Sequence, residues 1–150
     1  MEPRPNKARR AATKPSPVGG TVLVVDDDHL LLEMIRRLLK RAGMRVRVAR
    51  DIPKAFAVLD GAGVDTVLLD LRLPVQDGLG ALPKIRVFHP DVPVVVFTGA
   101  EHRPGIEDEC RRLGAAGFVR KQADFEVLLG TLRGALRSRS RARPRGRKAP

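Results

Sequence analysis

Residues 21–28 read TVLVVDDD. Five apolar or β-branched residues run without a polar break into Asp26, Asp27 and Asp28. Such a run reads as a strand buried on both faces. The aspartates stand where that strand ends. Three adjacent like charges repel, so they form either a solvated turn or the floor of a cation site. What lies at the ends of the other strands decides between the two.

Outward from this stretch the chain alternates two signals. HLLLEMIRRLLKRAG (29–43) spaces Leu31, Leu32, Ile35, Leu38, Leu39 and Ala42 as one face of a helix, with Gly43 as its stop. RVRVA (45–49) alternates as an edge strand does. IPKAFAVLDG (52–61) is a helix with Pro53 in its first turn. DTVLLD (65–70) is a buried strand. GLGALPKIRVF (78–88) is predicted to be helical in part, because Pro83 removes an interior donor and Gly80 weakens it. VPVVVFT (92–98) is a buried strand, IEDECRRLG (106–114) a short helix, AGFVR (116–120) a short strand and DFEVLLGTLRGALRS (124–138) a final amphipathic helix. Five strands alternating with five helices predict an α/β fold: a doubly wound five-stranded parallel sheet with helices on both faces.

In such sheets functional groups gather beyond the carboxyl ends of the strands, near the point where strand order reverses. The first strand ends in Asp26–Asp28, the third in Asp70, the fourth in Thr98 and the fifth near Lys121. Clustered carboxylates raise one another's pKa values unless a cation intervenes. Mg²⁺ takes one or two carboxylates and fills its shell with waters and phosphate oxygens. Lys121 and Thr98 could meet such a phosphate.

The order VLVVDDD, VLLDLRLPVQDG, VVVFTG and GFVRK resembles the receiver domain of two-component response regulators, over roughly residues 21–136. The resemblance implies the flavodoxin-like (βα)5 receiver fold and a role for each rim residue. Asp70 is similar to the phosphoacceptor. Asp26 and Asp27 resemble the acidic pair that holds Mg²⁺, Asp27 directly and Asp26 through water. Arg72 resembles the position whose backbone carbonyl completes the metal shell. Thr98 resembles the switch hydroxyl, Phe118 the aromatic switch and Lys121 the lysine that pairs with the phosphoryl group. Pro74 and Gly78 resemble turn residues after the phosphosite. The pattern is broken at Gln122, where the family has proline after a cis bond; a trans bond is expected here, since cis costs ~2.5–4 kcal/mol before other residues. Gly99 replaces the usual alanine and is expected to loosen its loop. Ala100 and Arg72 resemble the positions that flank the water path to the phosphoryl group in this family, and are expected to tune the lifetime of the acyl phosphate.

Other readings compete residue by residue. Asp28 is read as the N-cap of the first helix and Asp77 as a cap rather than a ligand. His29, His89 and His102 lack metal-ligand spacing and are expected to face solvent. Cys110 is expected to pack on a helix. With that one cysteine the chain has no disulfide framework.

The 150 residues carry a net charge of +12. Arg4, Lys7, Arg9, Arg10 and Lys14 against Glu2 give residues 1–20 a charge of +4. Seven arginines and Lys148 give residues 133–150 a charge of +8, while 21–132 balance to 0. The expected organisation is a disordered basic leader (1–20), a receiver domain (21–137) and a disordered Arg-rich tail (138–150). No apolar run reaches the ~18 residues of a membrane span, and a cytoplasmic protein with no membrane partner is expected. The tail reads equally as a nonspecific nucleic-acid contact or as a solvated segment that binds an acidic partner.

The resulting expectation is a stand-alone receiver. A histidine kinase or histidine phosphotransfer protein phosphorylates it on Asp70 with Mg²⁺, and output passes to a downstream protein through the fourth helix, fifth strand and fifth helix. It would be a phosphoacceptor assisting its own phosphotransfer and autodephosphorylation, not an enzyme. The alternative is a nucleic-acid-associated or scaffold protein acting through its Arg-rich tail, with the receiver as regulatory module. A metal-dependent phosphatase is disfavoured, since Arg72 stands where that chemistry places its general acid.

Overall fold

The computed structural model describes residues 19–61, 63–99 and 103–142. The elements are β1 (Thr21–Val25), α1 (His29–Arg41), β2 (Arg45–Ala49), α2 (Ile52–Asp60), β3 (Thr66–Leu69), α3 (Gly78–Phe88), β4 (Val94–Thr98), α4 (Ile106–Arg112), β5 (Gly117–Arg120) and α5 (Phe125–Ala142). All neighbouring strands pair in parallel, in the order β2-β1-β3-β4-β5. Strand order therefore reverses between β1 and β3, and the crevice opens there.

Period-two alternation sends side chains to two cores. Leu23, Val25, Val67, Leu69, Val94 and Val96 pack under α2, α3 and α4, with Ala55, Leu82, Ile85 and Cys110. Val22, Val24, Leu68, Val95, Phe97 and Val119 pack under α1 and α5, with Ile35, Leu39 and Leu132. Cys110 is a core residue as expected, and burial pushes its thiol pKa up, which keeps it unreactive.

Four expectations need correcting. Helix α3 runs unbroken from Gly78 to Phe88 with Pro83 inside; burial of Ala81, Leu82 and Ile85 outweighs one lost donor. Gly19, placed in the leader by the expected boundary at 21, is packed against the domain: a Cβ at this buried residue would lie 2.3 Å from the Gly43 carbonyl oxygen, so only glycine fits. Helix α5 continues to Ala142, beyond the boundary expected at 137. Arg139 holds that extension by pairing with Asp65 and by donating from Nε to the Asp91 carbonyl at 3.0 Å. Lastly, His89 is 18% exposed rather than solvent-facing: its Nε2 sits 3.1 Å from Asp60 Oδ1, and its ring lies 6.1 Å from that of Phe56. His102 and Ala100 lie outside the described residues, as do 1–18 and 143–150.

Candidate phosphoacceptor and metal site

β1 delivers Asp26 to the rim. Its backbone N–H still follows the sheet, donating to the Ala49 carbonyl at 3.1 Å, while its carboxylate is 2% exposed. Oδ1 accepts the Asp28 backbone N–H at 2.9 Å. The chain then turns, and Asp28 caps α1 by accepting the Leu30 and Leu31 N–H groups at 3.1 and 3.2 Å. Asp27 is left between them, exposed. Arg50, just past β2, donates to its carbonyl at 3.3 Å; nothing in the sequence marked Arg50 for this, because the contact depends on β1 and β2 being neighbours.

Asp70 follows β3. Its N–H donates to the Val25 carbonyl at 3.0 Å, which ties it beside Asp26, and it is 5% exposed. Its Oδ1 accepts the Arg72 backbone N–H at 3.3 Å. The start of α3 presses onto this loop: a Cβ at Gly78 would stand 2.2 Å from the Asp70 carbonyl oxygen, so the glycine is a steric requirement. Asp77 caps α3 by accepting the Leu79 N–H at 3.1 Å, as expected.

Lys121 closes the far side. Its N–H donates to the Thr98 carbonyl at 3.1 Å, which links the ends of β4 and β5. Its Nζ lies 2.6 Å from Asp26 Oδ2 and 3.4 Å from Asp70 Oδ2. The Lys121–Gln122 bond is trans, as every described peptide bond is. Thr98 is 1% exposed at the end of β4. Phe118 sits on β5 beside the core under α3 and α4, with the Arg120 guanidinium 5.2 Å from its ring centroid. It belongs to that core face rather than to the acid cluster. At Gly99 a Cβ would meet the Lys121 stem at 3.5 Å, an ordinary contact.

Carboxylate oxygens of Asp26, Asp27 and Asp70 lie within 4.8 Å of one another. One ammonium faces this charge. Burial raises the Asp70 pKa, and Asp26 raises it further; Lys121 and the Arg72 N–H only partly reverse that. Burial pushes the Lys121 ammonium pKa down, but hydrogen bonding and charge from Asp26 and Asp70 overcome this and raise it. Asp26 Oδ2 is buried, and its close partner is the Lys121 ammonium at 2.6 Å. Three carboxylates that share one ammonium match the oxygen-only donor set of a hard divalent cation. The cluster could hold a metal ion. The Arg72 N–H fixes Asp70 Oδ1 and keeps the loop against the cluster.

No helix among the described residues is long and apolar enough to cross a membrane. The family described as response regulator receiver domain matches residues 22–133. Among curated relatives, the probable transcriptional regulatory protein TcrX of Mycobacterium tuberculosis is 36% identical over 119 residues, covering 78% of this chain and 50% of the relative. The chain spans about half the length of the curated relatives it matches. Among solved structures, NtrX from Brucella abortus superposes with a TM-score of 0.76 at 28% identity, over 83% of this chain and 28% of that one. TrrA from Thermotoga maritima, solved in complex with Mg²⁺–BeF, superposes with a TM-score of 0.71 at 25% identity, over 78% of this chain and 99% of that one.

Proposed function

The chain belongs to the response regulator receiver family, and from that premise we propose that Asp70 accepts a phosphoryl group from a phosphohistidine on a sensor kinase or phosphotransfer protein. The observation that carries this reading is the cluster of three carboxylates, Asp26, Asp27 and Asp70, gathered around the one Lys121 ammonium. Asp26, Asp27 and Asp70, with the Arg72 carbonyl, would hold Mg²⁺. TrrA, a structural relative, was solved with Mg²⁺–BeF, which supports that choice of ion. When bound, the ion offsets the repulsion between an anionic carboxylate and an anionic donor.

An Asp70 carboxylate oxygen forms the new bond to phosphorus as the phosphorus–nitrogen bond of the donor breaks, and the imidazole leaves with that electron pair. The Lys121 ammonium lies within reach of Asp70 Oδ2 and stabilises charge on the equatorial oxygens in flight. It then pairs with the acyl phosphate. The Thr98 hydroxyl donates to a phosphoryl oxygen, and Phe118 follows it inward, so that a local charge change is read out on the α4–β5–α5 surface. The protein acts as a phosphoacceptor rather than as an enzyme on a separate substrate, and it works in the cytoplasm.

The test is incubation with acetyl phosphate, followed by intact-mass and peptide mass spectrometry. One phosphoryl group per chain is expected on Asp70, with Mg²⁺ and not with EDTA. Labelling of Asp70→Ala to the wild-type level would overturn the proposal.

A further inference from the structure

A second cleft opens at the other rim of the sheet, where β3 and β4 begin. It measures about 420 Å³. Buried Val64 and Val92 underlie it, and the ends of α2 and α3 line it with Asp60 and Phe88. The Asp60 side chain is 70% exposed. Its Oδ1 meets His89 Nε2 at 3.1 Å, and its Oδ2 has no partner among the described residues. Asp91 lines the same cleft, is exposed, and its carboxylate has no partner among them either. Phe88 is 68% exposed, and Phe56 meets its ring edge to face with the centroids 6.4 Å apart.

The fold does not require these groups. Asp60 is the last residue of α2, where a carboxylate meets the negative end of the helix dipole. Phe88 is the last residue of α3 and leaves most of its ring in water, forgoing the gain of burial. Asp91 caps no helix. Each is disfavoured or idle alone, yet together they match one chemical group. A guanidinium lays its plane on an aromatic face and offers its fork of N–H donors to carboxylates.

Arg139 brings the chain to this place. It lines the cleft from α5, donates from Nε to the Asp91 carbonyl at 3.0 Å and pairs with Asp65, so its own guanidinium is already satisfied. The sequence RPRGRK follows at 143–148, with three arginines, one lysine and no acid. Six residues reach at most about 20 Å when extended, enough to cross the cleft from the end of α5. We propose that the cleft seats the chain's own basic segment 143–148, with a guanidinium of that segment on Phe88 and paired with Asp60 and Asp91. Exposed ion pairs are individually weak, but a tether of a few residues gives the segment a millimolar effective concentration. A basic segment of another protein lacks that advantage. The two carboxylates repel the phosphates of nucleic acids and of anionic lipids. Seated in the cleft, the segment is withheld from such polyanions.

Zero-length cross-linking of the full chain tests this. Equal amounts of ordinary and heavy-nitrogen protein are mixed and treated with a carbodiimide, which joins Lys148 to carboxylates in contact with it, and the peptides are read by mass spectrometry. The expected product joins Lys148 to Asp60 or Asp91 in peptides that are wholly light or wholly heavy. Its yield should fall at least about fivefold at high salt, and as far in a variant combining Arg143→Gln, Arg145→Gln and Arg147→Gln, which keeps Lys148. Phe88→Ala should lower it by about threefold through loss of the stacking face. Mainly mixed light–heavy peptides would assign the cleft to a second copy and overturn the proposal. Coupling of Lys148 chiefly to acids remote from the cleft, such as Asp108 or Glu126, overturns it too, as does an undiminished yield in the arginine variant. Amide NMR gives an independent reading. The signals of Val64, Phe88 and Asp91 should differ between wild type and the arginine variant, and coincident signals would overturn the seat. Acetyl phosphate is expected to label Asp70 equally in these proteins, since the cleft lies at the other rim, so failure of one reading is distinguishable from failure of the other.

Discussion

The two rims of the sheet each carry an acid–base constellation, and they are finished differently. At the amino rim Asp65 is closed: Oδ2 accepts the Thr21 N–H at 2.8 Å and Oδ1 pairs with Arg139. One acid meets one base, and both carboxylate oxygens have donors. At the carboxyl rim three acids, Asp26, Asp27 and Asp70, share one base, Lys121. Similar side chains thus make a strut at one end and a receptive site at the other. The difference is whether charge closes without help from outside the chain. Buried groups left open cost stability and mark where a ligand belongs.

Substitutions at the two rims should therefore move stability in opposite directions. The largest effect is expected at the closed rim. Asp65→Ala leaves the Thr21 N–H and the Arg139 guanidinium without their partner, and should cost about 2 kcal/mol in urea unfolding. A cost near zero would mean that the strut carries nothing. At the open rim, Asp70→Asn keeps the shape and removes a disfavoured charge. In EDTA it should stabilise the protein by about 1 kcal/mol near neutral pH.

The sign follows from linkage. The folded state raises the Asp70 pKa above 3.8, so the ionised carboxylate destabilises the fold at high pH. That penalty is relieved as pH falls through the raised value toward 3.8. The gap between Asp70→Asn and wild type should therefore narrow on acidification. A gap that widens would show that the carboxylate is favoured in the apo fold. The smallest effect is expected of Gly99→Ala, whose Cβ finds room against the Lys121 stem. It should add about 0.4–1 kcal/mol by restricting the unfolded chain, and destabilisation would mean that the loop needs glycine.

This contrast also explains what could be read in the sequence. The open rim was legible because its residues end strands: Asp26, Asp70, Thr98 and Lys121 follow short β-branched runs, and one rule about parallel sheets gathers them. The caps Asp28 and Asp77 were legible because capping is local. The closed rim was not. Asp65 and Arg139 are 74 residues apart, and Arg139 sits in a run of alternating arginines that reads as a solvated tail. Only the packing of α5 on the sheet brings it over Asp65. His89 was misread for the same reason, since its partner Asp60 lies on another helix. The continuity of α3 through Pro83 was missed because its core contacts, not its propensity, hold it.

The central claim is that the open rim is completed by a cation and a phosphoryl group together. Thermal unfolding in the presence of Mg²⁺, beryllofluoride or both tests it most directly, with Asp70→Asn in parallel. The account predicts a clear rise in the wild-type midpoint with both ligands, larger than the sum of the rises with either alone, and no such synergy in Asp70→Asn. Additive shifts in wild type, or the same synergy in both proteins, would contradict it.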